Sequence, residues 1–405
     1  MTHILKALSP WLAAILIAAG CAEIPPQTCP ACAAPAPAPR AEASYEAVPY
    51  AALTGWQRAE LLPGLRAFIA GCPWIPAASV LARACESALA AAPQGENEAR
   101  RFVENAFTAW AVRPADGATD SVTGGVTGGL VTGYYEPVLA GSRSRSERFG
   151  EPVYGVPEDL VAVDLASLYP ELRALRLRGR LEGSRLVPYW SRKEIESRGT
   201  GLRAPVLAWV EDPVELFFLQ IQGSGQVELE GGGRLRLGYA EQNGHPYRSL
   251  GRHLIERGEL ALEQASMQGI KAWATANPGK LREALDANPS YVFFRELPVP
   301  SAAPAGADGP PGALGVPLSA GYSLAVDPRA IPLGAPVFLA TTWPLSTRPL
   351  ERLTAAQDTG GAIRGAQRAD FFWGTGPEAG ALAGRMRQPG AFWLLWPRGE
   401  APPRP

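Results

Sequence analysis

A-A-Q-D-T-G-G-A-I-R-G-A-Q-R-A-D-F-F-W, residues 355–373, is the stretch on which the reading of this chain turns. Asp358 and Asp370 bracket a segment with three glycines and two arginines, and Phe371-Phe372-Trp373 follows at once. Glycine lacks a Cβ, so such backbone turns tightly and can approach a ligand closely. A carboxylate beside apolar aromatics loses hydration, which raises its pKa and lets it hold a proton near neutral pH. That suits a general acid. An aspartate entering a buried strand serves equally well as a hydrogen-bonded structural residue, and the residues alone leave both readings open.

The stretch itself and its neighbours have β texture. Residues 322–326, 337–341 and 391–396 are apolar runs of strand length, and 374–380 reads as a turn entering a helix with Pro377 at its first position. Residues 302–315, rich in Ala, Pro and Gly, read as a linker or surface loop. Further back, 151–236 alternates short apolar runs with turns, as a small β-domain does. One run, L-F-F-L-Q-I-Q-G-S-G at 216–225, reads as a strand with Gln220 and Gln222 on one face and Ser224 in the closing turn. Two amides there, with Trp190 and Trp209 nearby, suit hydrogen bonding and stacking on a sugar; glutamines on a solvated strand face are the plainer alternative. Residues 259–277 and 279–288 read as helices, each ended by Asn-Pro.

Towards the N-terminus, 130–135 is a strand candidate stopped by Pro137. Adjacent strand residues point to opposite faces, so one of Tyr134 and Tyr135 can meet a ligand while the other packs, or both pack. Residues 45–113 read as helical, most clearly from Asn97 on, where Phe102, Val103, Ala106, Phe107 and Trp110 form a core stripe.

With 405 residues the chain is long enough for two or three domains, and 46% hydrophobic against 19% charged residues indicates a mainly globular protein. A net charge of −1 argues against bulk attraction to nucleic acid. Three histidines, one of them His3, disfavour a histidine-ligated zinc site, and no cofactor fingerprint is present. Lys6 and the apolar run 11–19 read as a signal peptide over 1–20. Ala18-Ala19-Gly20-Cys21 resembles the bacterial lipobox, which makes Cys21 the expected lipidation site; an ordinary signal peptide with an incidental cysteine is the alternative. Ala22 is compatible with sorting to the outer membrane. Residues 21–44 form a Pro/Ala-rich tether holding Cys29 and Cys32, and the sequence leaves a bridge between Cys72 and Cys85 open.

Asp358-Thr359-Gly360 matches the aspartic protease signature, but no second D-T-G or D-S-G follows, so that mechanism would need a homodimer. A wider set of motifs fits better. G-Y-Y-E-P at 133–137, L-Q-I-Q-G-S-G at 219–225, N-P-S-Y-V-F-F at 288–294, V-D-P at 326–328, Q-D-T-G-G-A-I-R-G at 357–365 and R-A-D-F-F-W-G at 368–374 occur in one order. Together they resemble the membrane-bound lytic murein transglycosylase A family, over nearly the whole mature chain. The C-terminal part resembles its 3D domain, whose three aspartates map onto Asp327, Asp358 and Asp370.

The resemblance implies a mainly β fold with helices: a double-psi β-barrel with a second β-domain inserted and a groove between them. The expected limits are 45–136 for the first part of the barrel domain, 137–304 for the insert and 305–400 for the catalytic second part. It also implies a lytic cleavage of the β-1,4 bond of peptidoglycan with Asp370 as acid and then base, needing no metal or cofactor. Tyr134, Tyr135, Gln220, Gln222, Ser224, Asp358 and Asp327 are the expected glycan-binding or site-holding residues, with a turn or cap as the simpler role of Asp327. Glycan strands are the expected partner, with the outer membrane reached through the lipid and a cell-wall complex as a further partner. Two rivals remain: an inverting hydrolase using Asp358 with Asp370, and a lipoprotein that grips glycan without cleaving it.

Overall fold

The computed structural model describes residues 43–114, 128–169, 172, 175–298 and 308–403. The expected signal peptide, Cys21, Cys29, Cys32 and nearly all of the tether lie outside the described residues.

The chain opens with β1 (Ala43–Val48), then α1 (Leu62–Gly71), α2 (Leu81–Ala91) and α3 (Glu96–Ala106), and returns through β2 (Phe107–Pro114). A disulfide between Cys72 and Cys85 ties the end of α1 to α2. The helical reading of 45–113 fails at both ends. Tyr45 lies on β1, and Phe107 and Trp110 lie on β2, where they do not continue the stripe of α3. F-T-A-W-A-V alternates at period two and finds ladder partners on both sides, in β1 and in the last strand of the chain, and this pairing overrides the helical spacing.

Next come β3 (Gly129–Glu136), β4 (Val138–Ser142), β5 (Glu151–Tyr154), β6 (Val161–Val163), β7 (Leu177–Glu182) and β8 (Arg185–Pro188). They lead to α4 (Arg192–Arg198), β9 (Val206–Val210), α5 (Pro213–Gln222), β10 (Ser224–Leu229) and β11 (Arg234–Gln242). Three helices follow, α6 (Leu250–Glu256), α7 (Met267–Ala276) and α8 (Pro278–Asp286), and then β12 (Val292–Leu297). The last part holds β13 (Ser323–Val326), β14 (Pro336–Thr342), β15 (Pro349–Asp358), β16 (Arg368–Thr375), α9 (Pro377–Ala383) and β17 (Arg387–Pro397).

The run 216–222 is helix, not strand. The Asp212 carboxylate caps α5 by accepting from Val214 N at 2.7 Å, Pro213 fills the first helical position, and Gly223 ends the helix in the left-handed region. Leu216 and Leu219 pack with the strands β4, β9, β10 and β11, while Phe217 and Phe218 pack among α6, α7 and α8. A helix buried on both sides shows no polar face, so its apolar run is indistinguishable by pattern from a buried strand.

Two larger sheets organise these elements. The first has the order β1-β2-β17-β14-β15-β13-β16-β3, and β3 pairs in addition with β17. Along β14, Val337 and Leu339 enter a core with Val131, Leu324 and Phe371, while Phe338 and Ala340 enter a second core with Leu65 and Phe68 of α1. Strand alternation thus feeds two cores from one sheet. Gly64 lets α1 lie directly on β15, because a Cβ there would collide with the Leu353 carbonyl oxygen. The second sheet has the order β12-β11-β10-β4-β9-β5, and β6, β7 and β8 form a small third one.

The chain crosses from the first sheet to the second at Glu136-Pro137. Glu136 is fully buried and accepts hydrogen bonds from Gln226 Nε2 of β10 and Thr375 Oγ1 of β16, both at 2.8 Å. Arg236 of β11 donates to the Gly309 carbonyl at 2.8 Å. The segment from Gly309 to Leu318 folds back on itself through paired backbone hydrogen bonds and lies against the end of β15, where Leu314 N donates to the Gln357 carbonyl.

Candidate active site

β15 and β16 bring Asp358 and Asp370 to either side of β13. Asp358 pairs with Ala325 across a parallel ladder and Asp370 pairs with the same residue across an antiparallel one. Cross-strand partners share a face, so the two aspartates rise from one side of the sheet with backbones about 9–10 Å apart, two strand spacings. A bulge achieves this. Leu324 pairs with Ala356 but Ala325 pairs with Asp358, leaving Gln357 as the extra residue. Gln357 turns inward, accepting from Ser323 Oγ and donating to the Ala67 carbonyl of α1 at 2.7 Å.

The same row continues across β3 and β17: Asp370 pairs with Thr132, and Thr132 pairs with Arg387. On β3, Val131 is fully buried in the core with Leu324 and Phe371, while Leu130, Thr132 and Tyr134, on the opposite face, are half-buried. Thr132 Oγ1 donates to Asp370 Oδ1 at 2.6 Å. Arg368 directs Nη1 to the carbonyls of Ala369 at 2.8 Å and Leu130 at 3.4 Å, and closes no ion pair on Asp370. Asp370 keeps some contact with solvent, yet protein crowds it on the remaining sides. Burial lifts its carboxyl from the ordinary 3.8 to about 6; the Thr132 hydrogen bond and the Arg368 charge pull down, and the Asp358 charge adds a push upward.

Asp358 Oδ1 accepts from the backbone N–H groups of Ala313 and Thr359, each at 2.9 Å. Burial raises this carboxyl above its usual range against those hydrogen bonds and against Tyr134. Tyr134 points into the same space. Its ring lies 5.2 Å from Phe372, centroid to centroid. Its hydroxyl is buried beside both carboxyls without a well-formed hydrogen bond among the described residues; burial first, then the two carboxylate charges, hold it protonated.

Asp327 does something else. Its carboxylate takes Arg329 Nε and Nη2 at 2.9 and 2.6 Å and Gly365 N at 2.8 Å. Burial pushes its pKa up, but Arg329 and the backbone N–H groups outweigh it and hold the carboxyl below its ordinary value. Gly365 has φ +93°, a backbone that disfavours a side chain, so Asp327 anchors the turn joining β15 to β16.

The other candidates are not gathered there. Tyr135 faces the reverse side of β3, its hydroxyl 3.3 Å from Met267 Sδ and its ring against Ala379 and Ala383. Gln222 accepts from Tyr135 N at 3.2 Å, and both residues line a cleft of about 230 Å³ on that reverse side, with Tyr247, Ser266 and Met267. Gln220 is buried in α5 and accepts from Arg192, which also stacks on Phe217. Gln220 and Gln222 therefore share no strand face. Ser224 opens β10, paired with Gly238. Trp190 is covered by the guanidinium groups of Arg180 and Arg198, and Trp209 by that of Arg145.

Sequence reasoning missed Thr132 and the Ala313 N–H. Thr132 was within reach, because period two puts it on the face of Tyr134. Ala313 was not, since a backbone donor leaves no side-chain signature.

Comparison with known proteins bears on this site. A family model described as the MltA specific insert domain matches residues 130–295, and one described as the 3D domain matches 322–396. Membrane-bound lytic murein transglycosylase A of Escherichia coli K12 is 35% identical over 271 residues, 65% of this chain and 64% of that protein. The Vibrio cholerae protein of the same name is 32% identical over 275 residues, 66% of this chain and 65% of that one. The match thus spans slightly less than two thirds of these relatives' length. The crystal structure of MltA from Neisseria gonorrhoeae is similar with 41% identity and a TM-score of 0.76, covering 90% of this chain and 95% of that one. That of E. coli MltA with bound chitohexaose is similar with 28% identity and a TM-score of 0.62, covering 84% and 91%.

Proposed function

We propose lytic cleavage of peptidoglycan as the activity of this chain, which belongs to the membrane-bound lytic murein transglycosylase A family. Protonated Asp370 gives its proton to the glycosidic oxygen between N-acetylmuramic acid and N-acetylglucosamine as positive charge develops at the muramoyl C1. The carboxylate left behind takes the proton from the muramoyl C6 hydroxyl, whose oxygen closes on C1 to form a 1,6-anhydro end. No water is consumed. One observation carries this reading: a half-buried carboxyl oriented by Thr132, closing no ion pair with an arginine among the described residues, and lifted to about 6 by burial.

The remaining residues receive supporting roles. Thr132 is a positioning residue for Asp370. Tyr134, whose buried hydroxyl makes no well-formed hydrogen bond among the described residues, is a glycan-binding residue. Asp358 holds the loop at Ala313 and binds sugar through its other oxygen. Asp327 keeps the turn. Tyr135 and Gln220 are given no place in binding, since one faces away and the other is used up inside the fold. The rival in which Asp358 activates a water for an inverting hydrolysis is disfavoured by the two backbone N–H groups already on Oδ1 and by the raised pKa of that carboxyl.

We read the first sheet as a double-psi β-barrel with its parts at 45–136 and 305–400 and the insert at 137–304. The additional β3–β17 pairing and the crossing at Glu136-Pro137 support this. The relatives' names describe membrane-bound enzymes; for this chain we assign attachment through a lipid on Cys21 to the periplasmic face of the outer membrane. Digestion of sacculi by the purified protein in ¹⁸O-water, followed by mass spectrometry, tests the reaction. Unlabelled 1,6-anhydro ends are expected; labelled reducing ends would reassign the protein to hydrolysis, and no release of fragments would leave only wall binding.

A further inference from the structure

We propose that Arg368 and Arg387 form a site for a carboxylate borne on the 3-O-lactyl branch of the muramoyl residue at the scissile bond. This rests on the lytic reading above and names a specificity determinant within it.

Placement comes from the sheet register. Arg368 stands two residues before Asp370 on β16 and so shares its face. Arg387 stands opposite Thr132 across the β17–β3 ladder, and Thr132 stands opposite Asp370. The two guanidinium groups therefore flank the acid on one face, one along its strand and one two strands away. Neither closes a salt bridge among the described residues, whereas Arg329 on the far side of the same turn is paired with Asp327. Arg368 is half-buried and Arg387 exposed. Burial first lowers the pKa of Arg368, the Asp370 charge raises it, and the like charge of Arg387 lowers it again, so the two guanidinium groups lie near enough to interact. Two cations held together beside the acid want an anion.

The substrate supplies one in the right place. The muramoyl ring carries its lactyl ether on C3, two ring carbons from the C1 that Asp370 serves. That branch ends in a carboxylate, either its own or those of an attached peptide. Guanidinium groups take carboxylates bidentately, with charge-assisted hydrogen bonds. Occupancy has a second effect. It draws the Arg368 charge away from Asp370 and adds a negative neighbour, both of which favour the protonated acid.

The test measures KM and kcat on peptide-free glycan and on peptide-bearing glycan, each as the free acid and as the methyl ester, for wild type, Arg387→Gln and Arg387→Lys. Wild type should show a KM about tenfold lower on a free acid than on its ester. Arg387→Gln should bring that ratio close to one, and Arg387→Lys should retain part of it. Preference on peptide-free chains assigns the lactyl carboxylate, and preference confined to peptide-bearing chains assigns the peptide. The site is overturned if wild type shows no preference on either glycan, or if Arg387→Gln keeps the wild-type ratio. Calorimetric binding of the same four glycans to Asp370→Asn, with both arginines intact, gives a readout that does not depend on an arginine variant folding. There the acid-to-ester difference must appear and shrink with salt. Product spectra from the same digests keep the two ideas apart: missing anhydro ends strike the lytic reading, a missing ratio strikes only the arginine site.

Discussion

Asp370 acquires its proton affinity from neighbours that are only partly visible in sequence. The aromatic run behind it signals dehydration, but the hydrogen bond that orients it comes from Thr132, 238 residues earlier. The folded protein binds this proton with a pKa of about 6, against 3.8 as the ordinary value. Ionisation is therefore disfavoured by the fold, and stability is lost as pH rises from about 4 through about 6. Asp370→Asn removes that penalty. It should abolish turnover yet melt higher than wild type at pH 7.5, by up to about 3 kcal/mol and less to the extent that solvent screens the group. Below pH 4 the difference should vanish. Melts at the two pH values check this, and a variant less stable than wild type at pH 7.5 contradicts it. Tyr134→Phe removes a buried hydroxyl without a good partner, so the fold should be unharmed while kcat/KM drops about 10-fold or more as a glycan hydrogen bond is lost. A kinetically silent Tyr134→Phe would take the hydroxyl out of the site.

Elements were legible where one face is wet or where a breaker marks the end. β3 and α9 follow from the breakers Pro137 and Pro377. α5 was misread because both its sides are buried, and the cap Asp212-Pro213 that would have corrected the reading precedes the apolar run. β2 was misread because its strand character depends on partners at either end of the chain. The bulge at Gln357 had no sequence signal, although it decides that Asp358 and not its neighbour reaches the face. If the Asp212 side chain caps α5 as described, Asp212→Ala should cost about 1 kcal/mol in denaturant unfolding. No measurable loss would mean that tertiary packing alone defines that helix start.

At the scale of the molecule, sequence pattern gives a succession of textures but not which strands meet. β3 lies beside β16 although most of the second sheet is inserted between them in the chain. An inserted domain was expected only through the family resemblance, and neither composition nor periodicity pairs β3 with β16. Glu136 and Arg236 tie the second sheet to β16 and to the segment that holds Asp358, so the two sheets are joined by buried polar contacts at the place where the site is assembled. The Cys72–Cys85 bridge closes a short loop between α1 and α2, whose helices pack in one core with β14 and β15. Its reduction should lower stability by about 2–3 kcal/mol, read as a drop in melting temperature under reducing agent. An unchanged melting temperature would show that helix packing suffices.

The account stands on one proton at position 370, and its titration can be observed directly. Carboxyl-¹³C NMR of protein labelled at aspartate, assigned by comparison with Asp370→Asn, should show this side chain titrating at about 6 in the free protein. A midpoint near the ordinary carboxylate value would mean that the group is ionised at neutral pH and is not the acid.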